Sequence, residues 1–158
     1  MYKKILVPLD GSNLAESVLP HVQKVAMGSP GVEIILFRVC EPPVLLADYP
    51  ADLRQEWEQH VRQETDHMQH QCRIYLSEAE KKLRQAGFKI TTESSLGNKV
   101  AEEIVDYAAR NGVDLIVLAT HGRSGVTRWA FGSIATKVLH SSPVPVMVVR
   151  PQDLKKEE

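Results

Sequence analysis

Apolar residues fall along the chain in two rhythms. Residues 3–9, KKILVPL, form a short apolar run ending at a DGS turn, and residues 32–39, VEIILFRV, and 114–120, DLIVLAT, repeat that character. Continuous runs this short predict strands buried on both faces. Residues 88–94, FKITTES, and 144–149, VPVMVV, predict two more strands. Between them the rhythm lengthens. Leu14, Val18, Val22 and Val25 share one helical face, and Ser12 or Asn13 suits the cap before them. Pro20 lies inside that pattern and predicts a kink or an irregular turn, because it cannot donate a helix bond. Residues 53–86 predict a long helix, with Trp57, Val61, Met68, Cys72, Tyr75, Ala79 and Leu83 near one stripe and Gly87 as its stop. Residues 98–112 predict a compact helix, with Glu102 and Glu103 at its positive end and Asn111-Gly112 closing it. Residues 132–142 predict a short one.

Strands alternate with helices, so the expected fold is a doubly wound α/β domain, an open parallel sheet with helices on both faces. Residues 1–151 are expected to form one domain and residues 152–158 a frayed tail. Ligands of such sheets bind beyond the carboxyl ends of the strands, where the strand order reverses.

Composition narrows the class. Hydrophobic residues are 43% and charged residues 25% of 158, as in a soluble globular protein. The formal net charge of -1 supplies no global attraction to nucleic acid or an anionic membrane. No apolar run approaches the ~18 residues of a membrane span. The first residues enter a strand pattern with no secretory h-region. Cys40 and Cys72 cannot build a disulfide framework and are not a C-x-x-C pair, which predicts a reducing compartment. The expectation is a cytoplasmic protein with no nucleic-acid or membrane partner.

Four loops leave strand carboxyl ends: DGSN, CEPP, SLGN and the segment beginning THGRSG. The last is the longest. Residues 119–133, ATHGRSGVTRWAFGS, hold Gly122, Gly125 and Gly132, two cations in Arg123 and Arg128, and no acid. Glycines let backbone N–H groups approach an anion, and Gly132-Ser133 opens a helix at its positive end. An ordered connector with glycines for turns fits the same composition. A Walker A sequence and a G-x-G-x-x-G fingerprint are both missing from the chain, which weighs against a motor-type NTPase and a common Rossmann dehydrogenase.

KKILVPLDGS, ATHGRSGVTRWAFGSIATKVL and SSPVPVMVVRP resemble the universal stress protein family over nearly the whole chain. Nucleotide-binding members carry G-x-x-G, nine residues, then G-[S/T]. Gly122, nine residues, Gly132 and Ser133 match, and Ala119 stands where the pattern has its first glycine. The resemblance implies strand order 3-2-1-4-5, with the first and fourth strands flanking the switch point. It implies that Pro8, Leu9 and Asp10 edge adenine and ribose, and that Val39 meets adenine through its backbone. Ala119 and Gly122 would flank ribose and phosphate. Gly132, Ser133 and the N–H of Ile134 would hold the phosphates, with His121 and Arg123 nearby. It also implies a homodimer through the final strand, residues 144–150, which covers an apolar edge.

Asp10 admits two readings: a hydrogen bond within its own turn, or a partner to Mg2+ beside phosphate oxygens. His60, His67, His70 and Cys72 could ligate zinc, or be a polar helix face. Trp129 and Phe131 suit a ligand clamp or an anchor on the core or a subunit, and His140 suits a helix dipole. No nucleophile–base pair stands out, so any ATP hydrolysis is expected to be weak. The expected function is a stress-response regulator that binds ATP, ADP or AMP. The alternative is an interaction module of the same fold that needs no nucleotide.

Overall fold

The apolar runs are strands because the fold covers both of their faces. The computed structural model describes residues 1–43, 52–84, 87–120 and 131–150. Its elements are β1 (Lys4–Pro8), α1 (Asn13–Glu16), α2 (Leu19–Met27), β2 (Glu33–Cys40), α3 (Arg54–Arg84), β3 (Lys89–Leu96), α4 (Val100–Arg110), β4 (Leu115–Ala119), α5 (Ser133–Ser141) and β5 (Val146–Val149). The strands form one sheet in the order β3-β2-β1-β4-β5, and every pairing is parallel.

Alternation splits each central strand between two cores. Ile5, Val7, Ile34, Leu36, Leu115 and Val117 pack with Ala15, Val18, Val22, Leu76 and Leu83 of the α1–α3 side. Leu6, Ile35, Phe37, Ile116 and Leu118 pack with Ile104, Ala108 and Val138 of the α4–α5 side. Successive side chains of a strand point to opposite faces, so a strand buried on both must be apolar throughout. Edge strand β3 has no buried residue. The Asp114 carboxylate accepts the backbone N–H groups of Lys3 and Lys4, at 2.8 and 2.9 Å, which ties the start of β1 to β4.

Pro20 does more than kink its helix. α1 ends at Glu16, and α2 takes Pro20 into its first turn, where a missing N–H costs nothing. Ser12 is the cap: its hydroxyl accepts from the Ala15 N–H at 3.1 Å.

The stripe along α3 holds only over half its length. Cys72, Leu76, Ala79 and Leu83 are buried, while Trp57, Val61, Met68 and Tyr75 are half-exposed. Thirty-one helical residues run about 46 Å. The eight residues of β2 span about 26 Å. Only part of α3 can therefore lie over the sheet. Leu76 belongs to the buried set although the sequence stripe passed over it.

The two cysteines also differ from expectation. Cys40, the last residue of β2, and Cys72, in the middle of α3, are joined as a disulfide across 32 residues with Cα atoms 6.7 Å apart. One bridge is no framework, but neither residue is a free thiol here. Sequence spacing carries no sign of the pairing, because only the packing of α3 on β2 brings the two together.

Candidate functional site

The carboxyl ends of β1, β2 and β4 open into one crevice of about 360 Å3 at the switch point. Pro8, Leu9 and Asp10 line it from β1, residues 37–41 from β2, and residues 118–120 from β4. Met68 and Cys72 of α3 form one wall, Val100 and Ile104 of α4 another, and the start of α5 a third. Volumes of ~300–1,000 Å3 are typical of small-molecule sites.

β1 ends before β2 does, and that leaves backbone groups facing the crevice. The Leu9 N–H donates to the Phe37 carbonyl at 2.8 Å, the last bond between these strands. In a parallel ladder, alternate residues address the same neighbour. Val39 therefore directs its backbone groups to the β1 side, beyond the last β1 residue. On the opposite side, Gly97 donates its N–H to the Cys40 carbonyl at 3.0 Å.

Asp10 takes its turn role. Its Oδ1 accepts from the Ser12 N–H at 2.9 Å and from the Ser12 hydroxyl at 2.6 Å. Gly11 between them has φ +89°, in the left-handed region. A Cβ there would lie 3.1 Å from the Arg38 guanidinium. That guanidinium stacks over the Tyr75 ring at 4.8 Å and lines the crevice. Burial pushes the Tyr75 hydroxyl above its ordinary pKa, and the Glu16 carboxylate adds to the effect. Tyr75 is thus a neutral platform beneath a cation. Sequence reasoning did not single out Arg38. Its signal was a charged residue inside the apolar run EIILFRVC.

The start of α5 supplies donors. Gly132 is the N-cap, with φ -59° and ψ 149°. Its own N–H is not free: it donates to the Thr120 carbonyl at 2.6 Å. The bond seats the cap against the end of β4. The amides of Ser133, Ile134 and Ala135 follow, in the first turn, where helix geometry provides no intrahelical acceptor. All three residues line the crevice.

Of the residues singled out by sequence, Pro8, Leu9, Asp10, Val39, Ala119, Gly132, Ser133 and Ile134 meet around this one cavity. His121, Gly122, Arg123, Gly125, Arg128 and Trp129 lie outside the described residues, as does the tail. Phe131 is 57% exposed. His60, His67 and His70 are exposed on α3, and Cys72 is bound to Cys40. Among the described residues no three metal-ligating side chains gather. His140 keeps its Nδ1 2.8 Å from the Thr136 carbonyl, within the last turns of α5.

The model of the universal stress protein family matches residues 1–150. The chain belongs to the universal stress protein family. Among relatives of this family member, universal stress protein MJ0577 of Methanocaldococcus jannaschii is 30% identical, with 95% of this chain and 96% of that protein covered. Universal stress protein MJ0531 of the same organism is 31% identical over 95% and 83%. The solved structure of MJ0577 superposes with a TM-score of 0.78 at 29% identity, covering 97% of this chain and 99% of that one. A universal stress protein family protein from Arabidopsis thaliana, solved with AMP bound, superposes at 0.65 with 17% identity, covering 96% and 93%, and shares the fold. Among the described residues, no helix is long and apolar enough to cross a membrane.

Proposed function

We propose that this universal stress protein is a cytoplasmic regulator that binds ATP, or ADP or AMP, in the switch-point crevice and hydrolyses it slowly if at all. One observation carries the reading: the first amides of α5 open into the same cavity as the carboxyl ends of β1, β2 and β4. A helix N-terminus favours phosphate through its amides and its dipole. The backbone of Val39, directed to the β1 side beyond the last β1 residue, suits a base edge, which peptide groups read by hydrogen bonds. The AMP bound by the Arabidopsis protein of the same fold supports an adenine ligand.

The residues present fit such a group. Pro8, Leu9, Asp10 and Val39 would hold adenine and ribose. Ala119 would flank ribose, with Gly122, and the Ser133 and Ile134 amides would hold phosphate with Gly132 set aside as a spacer. His121 and Arg123 would add donors, and Asp10 would stand beside Mg2+. In this role the bound nucleotide biases a surface read by partners. Edge strand β5 suits an antiparallel pairing with its copy through residues 144–150, giving a homodimer. Pro145, which has no N–H to donate, precedes β5 and offers its carbonyl to the Ile116 N–H at 3.0 Å.

Denaturing the purified protein and identifying released small molecules by mass spectrometry tests the reading. Calorimetry with ATP, AMP and GTP follows, with and without Mg2+. We expect adenine nucleotides to bind and GTP to bind poorly. No released nucleotide, together with no heat from millimolar ATP and Mg2+, would refute it and leave the nucleotide-independent module. Phosphate release from saturating ATP should stay near background.

A further inference from the structure

The disulfide stands in the wall of the crevice. Cys40 closes β2 next to Val39, and Cys72 sits on the turn of α3 that follows Met68; all four residues line the cavity. The Cα separation of 6.7 Å is within the ~4.4–6.8 Å that a disulfide spans. Towards the N-terminus from Cys72 the helix contributes no buried residue, and towards the C-terminus Leu76, Ala79 and Leu83 anchor it. Cys72 is thus the first firm attachment of α3 to the sheet on the crevice side. Beyond it the helix wall, Met68 included, is held by half-exposed packing.

We propose that Cys40 and Cys72 form a reversible redox tie that fixes the α3 wall of the crevice, and that its state sets nucleotide affinity. This rests on the crevice being the nucleotide site. The oxidant is a hydroperoxide, small enough to enter the cavity that both cysteines line. One thiolate attacks the peroxide oxygen, giving a sulfenic acid and water. The second thiolate displaces hydroxide from that sulfur, which leaves as a second water. The balance is two thiols and one hydrogen peroxide to one disulfide and two waters. A dithiol reductant returns both thiols and becomes a disulfide itself.

With the tie closed, the wall is ordered before the ligand arrives. With it open, binding must also order the helix around Met68, so affinity falls. Linkage makes the effect reciprocal: nucleotide must favour the closed tie.

The test uses the full chain. Tris(2-carboxyethyl)phosphine, then hydrogen peroxide, should cycle two alkylatable thiols to none, with no disulfide-linked dimer on a non-reducing gel. Reduction should speed amide exchange across residues 60–71 and weaken ATP binding by at least about 5-fold. By linkage, that ratio lowers the potential of the nucleotide-bound pair by about 20 mV. Cys40→Ser and Cys72→Ser should each match the reduced protein, and peroxide should restore neither slow exchange nor tight binding, because the remaining sulfur has no partner. A bond that the phosphine cannot open in the folded protein overturns the proposal, as does equal exchange and equal affinity in both states. If ATP binds in neither state, the nucleotide reading fails, and the exchange comparison alone upholds or overturns the tie.

Discussion

Replacing Gly132 with Val separates binding from folding. The backbone there, φ -59° and ψ 149°, is open to any L-residue, so no dihedral strain follows. Losing glycine at an N-cap costs about 1 kcal/mol. A stiffer unfolded chain returns about 0.4–1 kcal/mol. The net change is about 1 kcal/mol or less, which at this chain length moves the unfolding midpoint by ~2–4 °C at most. Binding responds differently. The new side chain occupies the crevice beside the Ser133 and Ile134 amides, where phosphate would lie. Hydrogen bonds to charged groups contribute about 1.5–3 kcal/mol each. Losing two of them weakens ATP at least ~100-fold, at 1.4 kcal/mol per decade. Calorimetry and thermal unfolding of the same samples measure both. A variant that melts like the parent and binds ATP equally well refutes the cradle. A variant that binds poorly only because it is unfolded would show itself in the melt.

Three further outcomes follow from the packing. Leu76→Ala removes a side chain only 2% exposed between α3 and the sheet, and should cost about 2–5 kcal/mol in urea unfolding. Gly11→Ala forces a left-handed φ on a side chain and crowds Arg38. A loss of about 1–2 kcal/mol in thermal unfolding is expected, and no loss would show that the turn relaxes. Glu33 is held below its ordinary 4.5, first by the Thr91 hydroxyl at 2.7 Å, with Lys89 and Lys4 adding their charges against the opposing effect of burial. The fold thus prefers the carboxylate. That contribution is full above the unfolded pKa and is lost as pH falls through the lower folded value. Thr91→Val should raise the Glu33 midpoint towards 4.5 in an NMR titration of its carboxyl carbon.

Much of this molecule was legible because the governing physics is local. Apolar runs bounded by turns marked β1, β2 and β4, since a strand covered on both faces has no polar position to spare. Ser12, Gly87 and Gly112 marked helix ends through capping and left-handed backbone, which depend only on neighbouring residues. The loops leaving the carboxyl ends located the crevice. Strand order came from the family resemblance, because local patterning does not say which strand lies beside which.

The tertiary structure decided what depends on chain return. It placed the Arg38 guanidinium on Tyr75, a residue distant in sequence. It bonded the Gly132 amide to the Thr120 carbonyl at the end of β4. It limited the buried stripe of α3 to the half that a shorter sheet can cover, and joined Cys40 to Cys72 at the edge of that half. Periodicity sets which face of an element is apolar. How far that face is covered, and which distant atoms meet across it, depends on the lengths and placement of the elements packed against it.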